Sequence, residues 1–333
     1  MHNPAFELDS CMSPMHVSGK RNIVLSALRN AATLLSFILL PLLPASAGGE
    51  GGIEDASQAR EYTLWYRNYD NRATLALVKL ALSHTPEYGE FSIRRSEEFT
   101  QGRALKELAD TRSSTRLDIA NVATTAERED ELNEIPVPVD GGLLGFRVCL
   151  ILPKNLEKFE NINSLEALRE SNISIGQGAH WPDTAILESN GIQVITHTRY
   201  EILFGMLRNG RFDCFARGIS EVLYDKEAHD PAEKELVIEP NLLLAYPMPS
   251  YLFTAPDDRK TAQRLRVGLE RAIQDGSFGD YLKTWYGRPV AELGLDQRTV
   301  IVLENPFLSE ASRNVGRRAL EDLDRRIKRF QDR

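Results

Sequence analysis

The stretch Gly141-Gly-Leu-Leu-Gly-Phe-Arg-Val-Cys-Leu-Ile-Leu-Pro153 contains the strongest structural signal of the mature chain. Its apolar part, residues 143–152, lies between a diglycine and a proline. Glycine and proline interrupt regular structure, and a continuous apolar run between such residues is typical of a buried strand. The segment therefore predicts a strand in the interior of the protein.

Strand and helix patterns alternate on both sides of this strand. Predicted strands cover 62–66, 118–122, 173–175, 192–195, 212–216 and 251–254, and predicted helices cover 73–82, 103–108, 164–170, 183–190, 199–208, 261–274 and 277–285. This alternation is typical of α/β proteins with mostly parallel sheets.

The alternating patterns form two units of similar size. The chain passes from the first unit to the second near Phe146 and returns near Tyr246. Two crossings make a hinge, and a ligand cleft is expected between the units because pockets favour domain interfaces. We assign 48–146 and 248–290 to the first lobe and 147–247 to the second. Residues 291–333 form a C-terminal extension, with a predicted strand at 300–303 and an amphipathic helix at 309–330.

The N-terminus has the pattern of a secretory signal peptide. Lys20 and Arg21 precede an apolar run at 31–43, and Ala45-Ser46-Ala47 supplies small residues at a cleavage site. We expect residues 1–47 to be removed after Ala47 and the protein to reach the periplasm. The alternative is an uncleaved anchor, although the run is shorter than the roughly 20 residues that a membrane span needs.

Composition places the chain among soluble globular proteins. Of its 333 residues 42% are hydrophobic and 26% are charged, and the formal net charge is −8. Because nucleic-acid affinity depends on a basic surface, this balance argues against a nucleic-acid partner.

Two cysteines remain after removal of the signal peptide, Cys149 and Cys214. Both lie in apolar runs that predict strands, where a thiol usually behaves as a small buried hydrophobe. That interpretation is preferred here. A disulfide between the two is the alternative, since the periplasm is oxidising.

Four short motifs follow one another along the mature chain. They are Thr125-Ala126-Glu127-Arg128, Ile175-Gly176-Gln177-Gly178, Asn209-Gly210-Arg211-Phe212-Asp213, and Asp275-Gly276-Ser277-Phe278 with Trp285-Tyr286-Gly287. In this order and spacing, residues 62–287 resemble the type 2 periplasmic-binding fold, in particular a divergent branch of the family 3 extracellular solute-binding proteins of polar amino-acid transport. The resemblance implies two lobes, each a mostly parallel sheet flanked by helices, joined by a hinge of two crossings.

The resemblance also implies a ligand anchor. In that family the arginine of the Thr-x-x-Arg turn grips the ligand carboxylate, which assigns this role to Arg128, beside Thr125. A guanidinium suits the role because its planar fork makes two parallel charge-assisted hydrogen bonds. The alternative is a surface arginine paired with Glu127 or Glu129.

The glycine loop at 176–183 is the second implied contact. Free backbone N–H groups at the start of a helix would stabilise an anion, and Gly178 would let the ligand approach the backbone. His180 and Trp181 are expected to line the cleft, with the indole as an apolar lid. The alternative is that Trp181 only anchors the helix start while Asp183 caps it.

The sequence departs from the family pattern at two places. A glycine-alanine pair stands at 178–179 instead of the usual glycine-threonine, and Gly218 stands where an aspartate usually meets the ligand amino group. Arg217 and Glu221 flank that position and are candidate ligand contacts, with a structural pair between them as the alternative. Near the first strand, Tyr66 is a candidate to offer its ring to the ligand, with core packing as its alternative.

These observations favour a solute-binding protein that closes on a small carboxylate-bearing ligand, with no cofactor, no metal and no catalytic residues. An ABC transporter or a membrane sensor, such as a sensor kinase, is the expected partner. One alternative is an enzyme on the same fold, in which Glu221 and His180 would supply an acid and a base. Another is an interaction module with a vestigial pocket, which would use the chain beyond Gly287.

Overall fold

The computed structural model describes residues 59–110, 117–232 and 235–331. The predicted signal peptide, its cleavage site after Ala47 and the alternative of an uncleaved anchor lie outside these residues. Within the described ranges, no helix has both the length and the apolarity that are needed to cross a membrane.

Strands and helices alternate through most of the chain, as the sequence patterns predict. The strands are β1 (Arg60–Leu64), β2 (Phe91–Arg95), β3 (Ala120–Ala123), β4 (Asn133–Ile135), β5 (Phe146–Ile151), β6 (Ser174–Gly178), β7 (Gln193–His197), β8 (Cys214–Gly218), β9 (Val237–Ile238), β10 (Leu242–Ala245), β11 (Ser250–Thr254) and β12 (Thr299–Val302). The helices are α1 (Tyr66–Asp70), α2 (Arg72–Ser83), α3 (Gln101–Ala109), α4 (Ala126–Glu131), α5 (Leu165–Glu170), α6 (Pro182–Ser189), α7 (Tyr200–Arg208), α8 (Val222–His229), α9 (Arg259–Gln274), α10 (Ser277–Glu292) and α11 (Glu310–Gln331).

The first lobe contains β1 to β4, β11 and the helices packed on them. Strand β11 lies between β3 and β4 in an antiparallel sheet, and β1 pairs in parallel with β2. Helix α2 begins after Asn71, whose side chain accepts a hydrogen bond from the Thr74 amide at 3.0 Å. Its apolar face packs against α9, where Leu265 and Leu269 are fully buried, so the two helices share one core.

The second lobe is built on one larger sheet in the order β12-β10-β5-β8-β6-β7, with β9 paired to β5. Strands β6, β7 and β8 are parallel, whereas β5 is antiparallel to β8 and β10. The second-lobe sheet is therefore mixed, and the first lobe combines a parallel pair with an antiparallel sheet, so neither lobe has the mostly parallel sheet that was expected. The antiparallel pairs arise at β5, β10 and β11, because these strands enter or leave a lobe at the hinge.

The two crossings of the hinge lie side by side. The Val139 amide donates to the Ser250 carbonyl at 3.0 Å, and the Tyr246 amide donates to the Gly145 carbonyl at 3.0 Å. A side chain at Gly145 would place its Cβ 2.3 Å from the Tyr246 carbonyl oxygen. Glycine is therefore required where the two crossings meet.

The C-terminal extension is part of the fold. Strand β12 pairs in parallel with β10 and forms an edge of the second-lobe sheet, which confirms the strand predicted at 300–303. The chain then crosses the hinge, where Asn305 donates to the Pro247 carbonyl at 2.7 Å. On helix α11, Ser312 reaches the first lobe and donates to the Glu129 carboxylate at 2.6 Å. The extension therefore contacts both lobes and the hinge.

Cys149 on β5 and Cys214 on β8 form a disulfide, with 5.1 Å between their Cα atoms. The preferred interpretation of two separate buried thiols is therefore wrong, and the alternative is confirmed. The reason is strand order: β5 and β8 are neighbours in the sheet, although the cysteines are 65 residues apart in sequence.

We expect the double substitution Cys149→Ala and Cys214→Ala to lower the free energy of unfolding by about 2–4 kcal/mol, because the cross-link restricts a long loop in the unfolded chain. Urea denaturation monitored by circular dichroism measures the loss. A reducing agent should destabilise the wild type similarly and leave the double variant unchanged. Equal midpoints for oxidised wild type and double variant would contradict this expectation.

Candidate functional site

A cavity of about 130 Å³ lies between the lobes. Its first-lobe wall comes mainly from α1, α2 and β3, and its second-lobe wall comes from β5, α6 and the segment that joins β8 to α8. Its lining side chains include Trp65, Arg67, Asn68, Asn121, Asp140, Arg147, Trp181, Asp183, Arg217, Ser220 and Glu221. We call this space the inner chamber.

Arg147 forms the floor of the inner chamber on the second-lobe side. It is buried on β5 and donates to Asp183 on α6 at 2.7 Å and to Glu221 at 3.2 Å. The Tyr246 hydroxyl donates to the same Asp183 carboxylate at 2.6 Å. Burial alone would lower the pKa of Arg147, but the charges around it outweigh that effect and the pKa is raised. The guanidinium therefore remains charged and paired.

The side chain of Asp183 does not cap α6. The helix has no capping hydrogen bond from a side chain, and the carboxylate of Asp183 turns toward Arg147 and Tyr246 instead. The capping alternative from the sequence is therefore wrong. The physical reason is that a buried cation requires a partner, and Asp183 is the carboxylate that α6 brings to it.

Arg217 lies beside this group at the end of β8. It pairs with Asp225 at 2.5 Å and with Glu221 at 3.1 Å, and the Tyr200 hydroxyl donates to Asp225. The alternative of a structural pair between Arg217 and Glu221 is thus present in the structure. Burial alone would raise the pKa of Glu221, but Arg217 and Arg147 outweigh it and the pKa is lowered.

Trp181 closes the inner chamber on its second-lobe side. Its indole stacks on Phe215, with ring planes 9° apart, and the Arg217 guanidinium lies 4.9 Å from the indole centre. A side chain at Gly178 would place its Cβ 2.5 Å from this indole. Position 178 therefore requires glycine because the Trp181 indole occupies the space of a side chain. This requirement does not depend on the approach of a ligand.

Some backbone amides of the loop at 176–183 donate hydrogen bonds to carbonyl groups of the protein itself. The Ala179 amide donates to the His197 carbonyl at 3.0 Å, and the Trp181 amide donates to the Gly178 carbonyl at 2.9 Å. The expectation that the loop presents free N–H groups to a ligand fails at these two residues. The parallel neighbour β7 and the tight turn into α6 take the donors, because buried amides require partners.

Arg128 lies at the interface of the lobes but not in the wall of the inner chamber. Its guanidinium donates to the Ala123 carbonyl at 2.5 Å and, across the cleft, to the His180 carbonyl at 2.9 Å. Burial lowers the pKa of Arg128 to about 10. Thr125 caps α4 by accepting from the Arg128 amide at 3.2 Å. Arg128 and the glycine loop therefore face each other across the cleft, and the hydrogen bond from Arg128 to the His180 carbonyl connects them directly.

Among the described residues, Arg128 forms no ion pair with Glu127 or Glu129, although the charge of Glu127 acts on it. Glu129 accepts instead from the hydroxyls of Thr124 and Ser312, both at 2.6 Å. Glu127 is exposed to solvent. The role of Arg128 as a carboxylate anchor stays a prediction.

A second cavity of about 430 Å³ opens outside the inner chamber, and we call it the outer cleft. Tyr66, Gly178 and His180 line it, together with Tyr200. Tyr66 begins helix α1 rather than ending a strand, and the Arg95 guanidinium lies 5.1 Å from the centre of its ring. The helix starts there because the chain turns after the buried Trp65, so the phenol faces the outer cleft.

Arg67, Gln101 and Trp181 line both spaces, so they separate the inner chamber from the outer cleft. The Arg67 guanidinium lies 4.1 Å from the ring centre of Tyr200, which belongs to the second lobe. Sequence reasoning missed Arg67, although its place among the aromatic residues of α1 was a usable signal. It is the closest cationic neighbour of the predicted site residue Tyr66 in sequence.

Asp140 is a second residue that sequence reasoning missed. It is buried at the first crossing of the hinge, lines the inner chamber and accepts from the Ser220 hydroxyl at 3.0 Å and the Gly142 amide at 3.1 Å. Burial raises its pKa to about 6. The signal was its position directly before the diglycine that marks the crossing.

The structure thus divides the predicted site residues into three groups. Trp181, Arg217 and Glu221 line the inner chamber; Tyr66, Gly178, His180 and again Trp181 line the outer cleft; Arg128 and Thr125 line neither space. In the part of the chain that the structure describes, no group of His, Cys, Asp and Glu side chains is arranged to hold a metal ion.

Comparison with solved structures identifies the fold. No protein-family model and no curated protein matches the chain. Among solved structures, an ancestral arginine-binding protein bound to glutamine is 14% identical, with a TM-score of 0.51, and the match covers 69% of this chain and 99% of that chain. The GluR0 ligand-binding core in complex with L-glutamate is 11% identical, with a TM-score of 0.51 and the same two coverages, 69% and 99%.

A third similar structure is an amino acid ABC transporter substrate-binding protein from Streptococcus pneumoniae bound to L-arginine. It is 12% identical, with a TM-score of 0.51, and the match covers 69% of this chain and 96% of that chain. At such low identity the likeness concerns the fold. The sheets of the two lobes, their helices and the paired crossings between the lobes therefore identify the chain as a two-lobed α/β protein of the type 2 periplasmic-binding fold.

Proposed function

We propose that this protein is a periplasmic solute-binding protein that closes on a small carboxylate-bearing ligand, an amino acid or a similar molecule. The observation that carries the proposal is the inner chamber, whose walls combine polar and charged side chains from both lobes. A ligand that contacts both lobes favours the closed state over the open one, and this difference in affinity is what drives closure.

The size of the inner chamber limits the ligand. A volume of about 130 Å³ is below the roughly 300–1,000 Å³ of pockets that hold drug-sized ligands, so a ligand inside it is small. An amino acid with a short side chain fits this space, and a longer ligand would extend past Arg67 and Trp181 into the outer cleft.

We further propose that residues 1–47 direct export and that the loaded protein serves an ABC transporter or a membrane sensor. The names of the similar structures support an amino-acid-like ligand: they include an arginine-binding protein bound to glutamine and a ligand-binding core bound to L-glutamate.

Binding is favoured over catalysis by the position of the candidate acid and base. Glu221 lines the inner chamber, whereas His180 lines the outer cleft, so they do not face one ligand together. A cluster of Ser277, His84 and Asp275 lies at the start of α10. Both the serine hydroxyl and the Asp275 carboxylate contact the same atom, Nε2 of His84, at 3.3 and 2.9 Å. A catalytic triad needs the two on opposite ring nitrogens.

We expect a thermal-shift screen of residues 48–333 against amino acids and small carboxylates to find a ligand. At a concentration of about 100 times Kd, a ligand that binds only the folded state raises the melting temperature by roughly 5 °C. Sodium chloride at equal ionic strength is the control. If no compound shifts the melting temperature, the proposal fails in favour of the vestigial-pocket alternative.

We expect Arg128→Ala to weaken the affinity for that ligand by about tenfold, because it removes a charge-assisted hydrogen bond between the lobes in the closed state. Isothermal titration calorimetry measures the change. Glu127→Ala is the matched control, since it changes an exposed residue of the same helix. Complete loss of binding in Arg128→Ala would instead support direct contact with the ligand.

A further inference from the structure

Most charged side chains around the inner chamber already have partners of opposite charge. Arg147 pairs with Asp183 and Glu221, and Arg217 pairs with Glu221 and Asp225. These groups satisfy one another within the second lobe. A ligand would have to break a buried ion pair to use them, and breaking such a pair is costly.

Arg67 is different. Its guanidinium lies among three aromatic rings, 4.1 Å from the centre of Tyr200, 5.6 Å from Trp65 and 6.0 Å from Trp181. Among the described residues, no carboxylate or carbonyl accepts a hydrogen bond from it. Contacts with ring faces stabilise the cation but leave the N–H groups at the edge of the guanidinium without acceptors. The charge of Glu221 acts on Arg67, but that carboxylate forms its ion pairs with Arg147 and Arg217. Arg67 is therefore a half-buried cation in the chamber wall that has no ion pair of its own among the described residues and can receive an anion.

Asp140 is the anionic counterpart of Arg67 in the chamber wall. Its hydrogen-bond donors, the Ser220 hydroxyl and the Gly142 amide, are both neutral, and the residue is 4% exposed. Within the described ranges no Lys, Arg or His forms an ion pair with it. The charged groups that act on it are Glu221, which has the same sign, and Arg147, which is already paired. Tyr281 and Tyr286 face it from α10 as neutral phenols.

We propose that Arg67 and Asp140 are the two poles of the ligand site, and that the ligand is a small zwitterion whose anionic group pairs with Arg67 and whose cationic group pairs with Asp140. The inference rests on the proposed solute-binding function and makes the ligand class specific. It assigns the amino group to the hinge, whereas the sequence resemblance places it near Gly218. It also assigns the ligand carboxylate to Arg67, which leaves Arg128 to hold the lobes together.

Charge balance explains why a zwitterion fits better than a ligand with one charge. An uncompensated charge in a buried chamber has lost part of its hydration, and a ligand of opposite charge restores the lost interaction. A simple carboxylate would compensate Arg67 and leave Asp140 unpaired, and a simple amine would do the reverse. A ligand with both groups compensates both.

The test compares ligands that differ only in charge. Glycine, L-alanine, β-alanine and 4-aminobutyrate are the zwitterionic probes, and acetate and methylamine carry one charge each. We expect at least one zwitterion to bind at least tenfold more tightly than either single-charge probe by isothermal titration calorimetry. The preferred member of the homologous series reports the separation of the two poles.

The variants Arg67→Ala and Asp140→Asn should each weaken binding of the best zwitterion by at least tenfold. Glu61→Gln and Arg94→Ala are the matched controls, because these residues form an exposed ion pair outside both cavities, and their affinities should equal that of the wild type. If acetate binds as tightly as the zwitterions, or if both variants bind like the wild type, the inference is overturned and the solute-binding function stands. If no probe and no other amino acid binds, both this inference and the proposed solute-binding function are wrong.

A second measurement needs no ligand. Because the pKa of Asp140 is raised in the folded protein, its ionisation removes stability as pH rises from about 4 to about 6, and that stability stays lost above pH 6. Asp140→Asn cannot ionise and keeps acceptors and donors for Gly142 and Ser220. We expect it to melt about 4 °C above the wild type at pH 8 and to match the wild type at pH 4.

In the same experiment, Glu61→Gln should give no difference that grows with pH. A melting temperature of Asp140→Asn that is lower than that of the wild type at pH 8 would show that the Asp140 carboxylate is already compensated. That result overturns the inference whatever the ligand screen finds.

Discussion

The cleft depends on the buried guanidinium of Arg147. It joins the strand that follows the first crossing to Asp183 on α6 and to Glu221 before α8, and Asp183 in turn holds Tyr246 at the second crossing. One side chain therefore links the sheet, two helices and both crossings. Removing one partner of such a buried group leaves an unpaired charge and costs about 3–5 kcal/mol. The shape of the chamber floor follows from that constraint.

The C-terminal extension adds a second constraint at the hinge. It belongs to the second-lobe sheet through β12, passes the second crossing at Asn305 and reaches the first lobe through Ser312. The close contact of Gly142 with Ala319 brings α11 onto the first crossing as well. A segment that is attached to both lobes and both crossings restricts how far the lobes can separate. Together with Arg128, it favours a cleft that is largely preformed.

Much of the fold could be predicted from local patterns. The apolar run at 143–152 became β5, the helical spacing at 73–82 became α2, and the extension has its predicted strand and helix. Strands β2, β4, β9 and β10 and helices α1, α4 and α8 were not predicted, because short elements carry little periodicity. For the candidate site, Trp181 was found from its place in the glycine loop, and Arg217 and Glu221 from their place beside Gly218. Arg67 and Asp140 were not found.

The sequence by itself determined the order of the elements, the two-lobed plan and the neighbourhood of the cleft, since these follow from hydrophobic spacing and turn residues that are close together along the chain. Only the tertiary structure decided which charges are compensated and which cysteines meet. Whether Asp183 caps a helix or pairs with Arg147, and whether Cys149 reaches Cys214, depends on partners that are far apart in sequence. The energy of a buried charge is set by what the fold places beside it, and no local pattern contains that information.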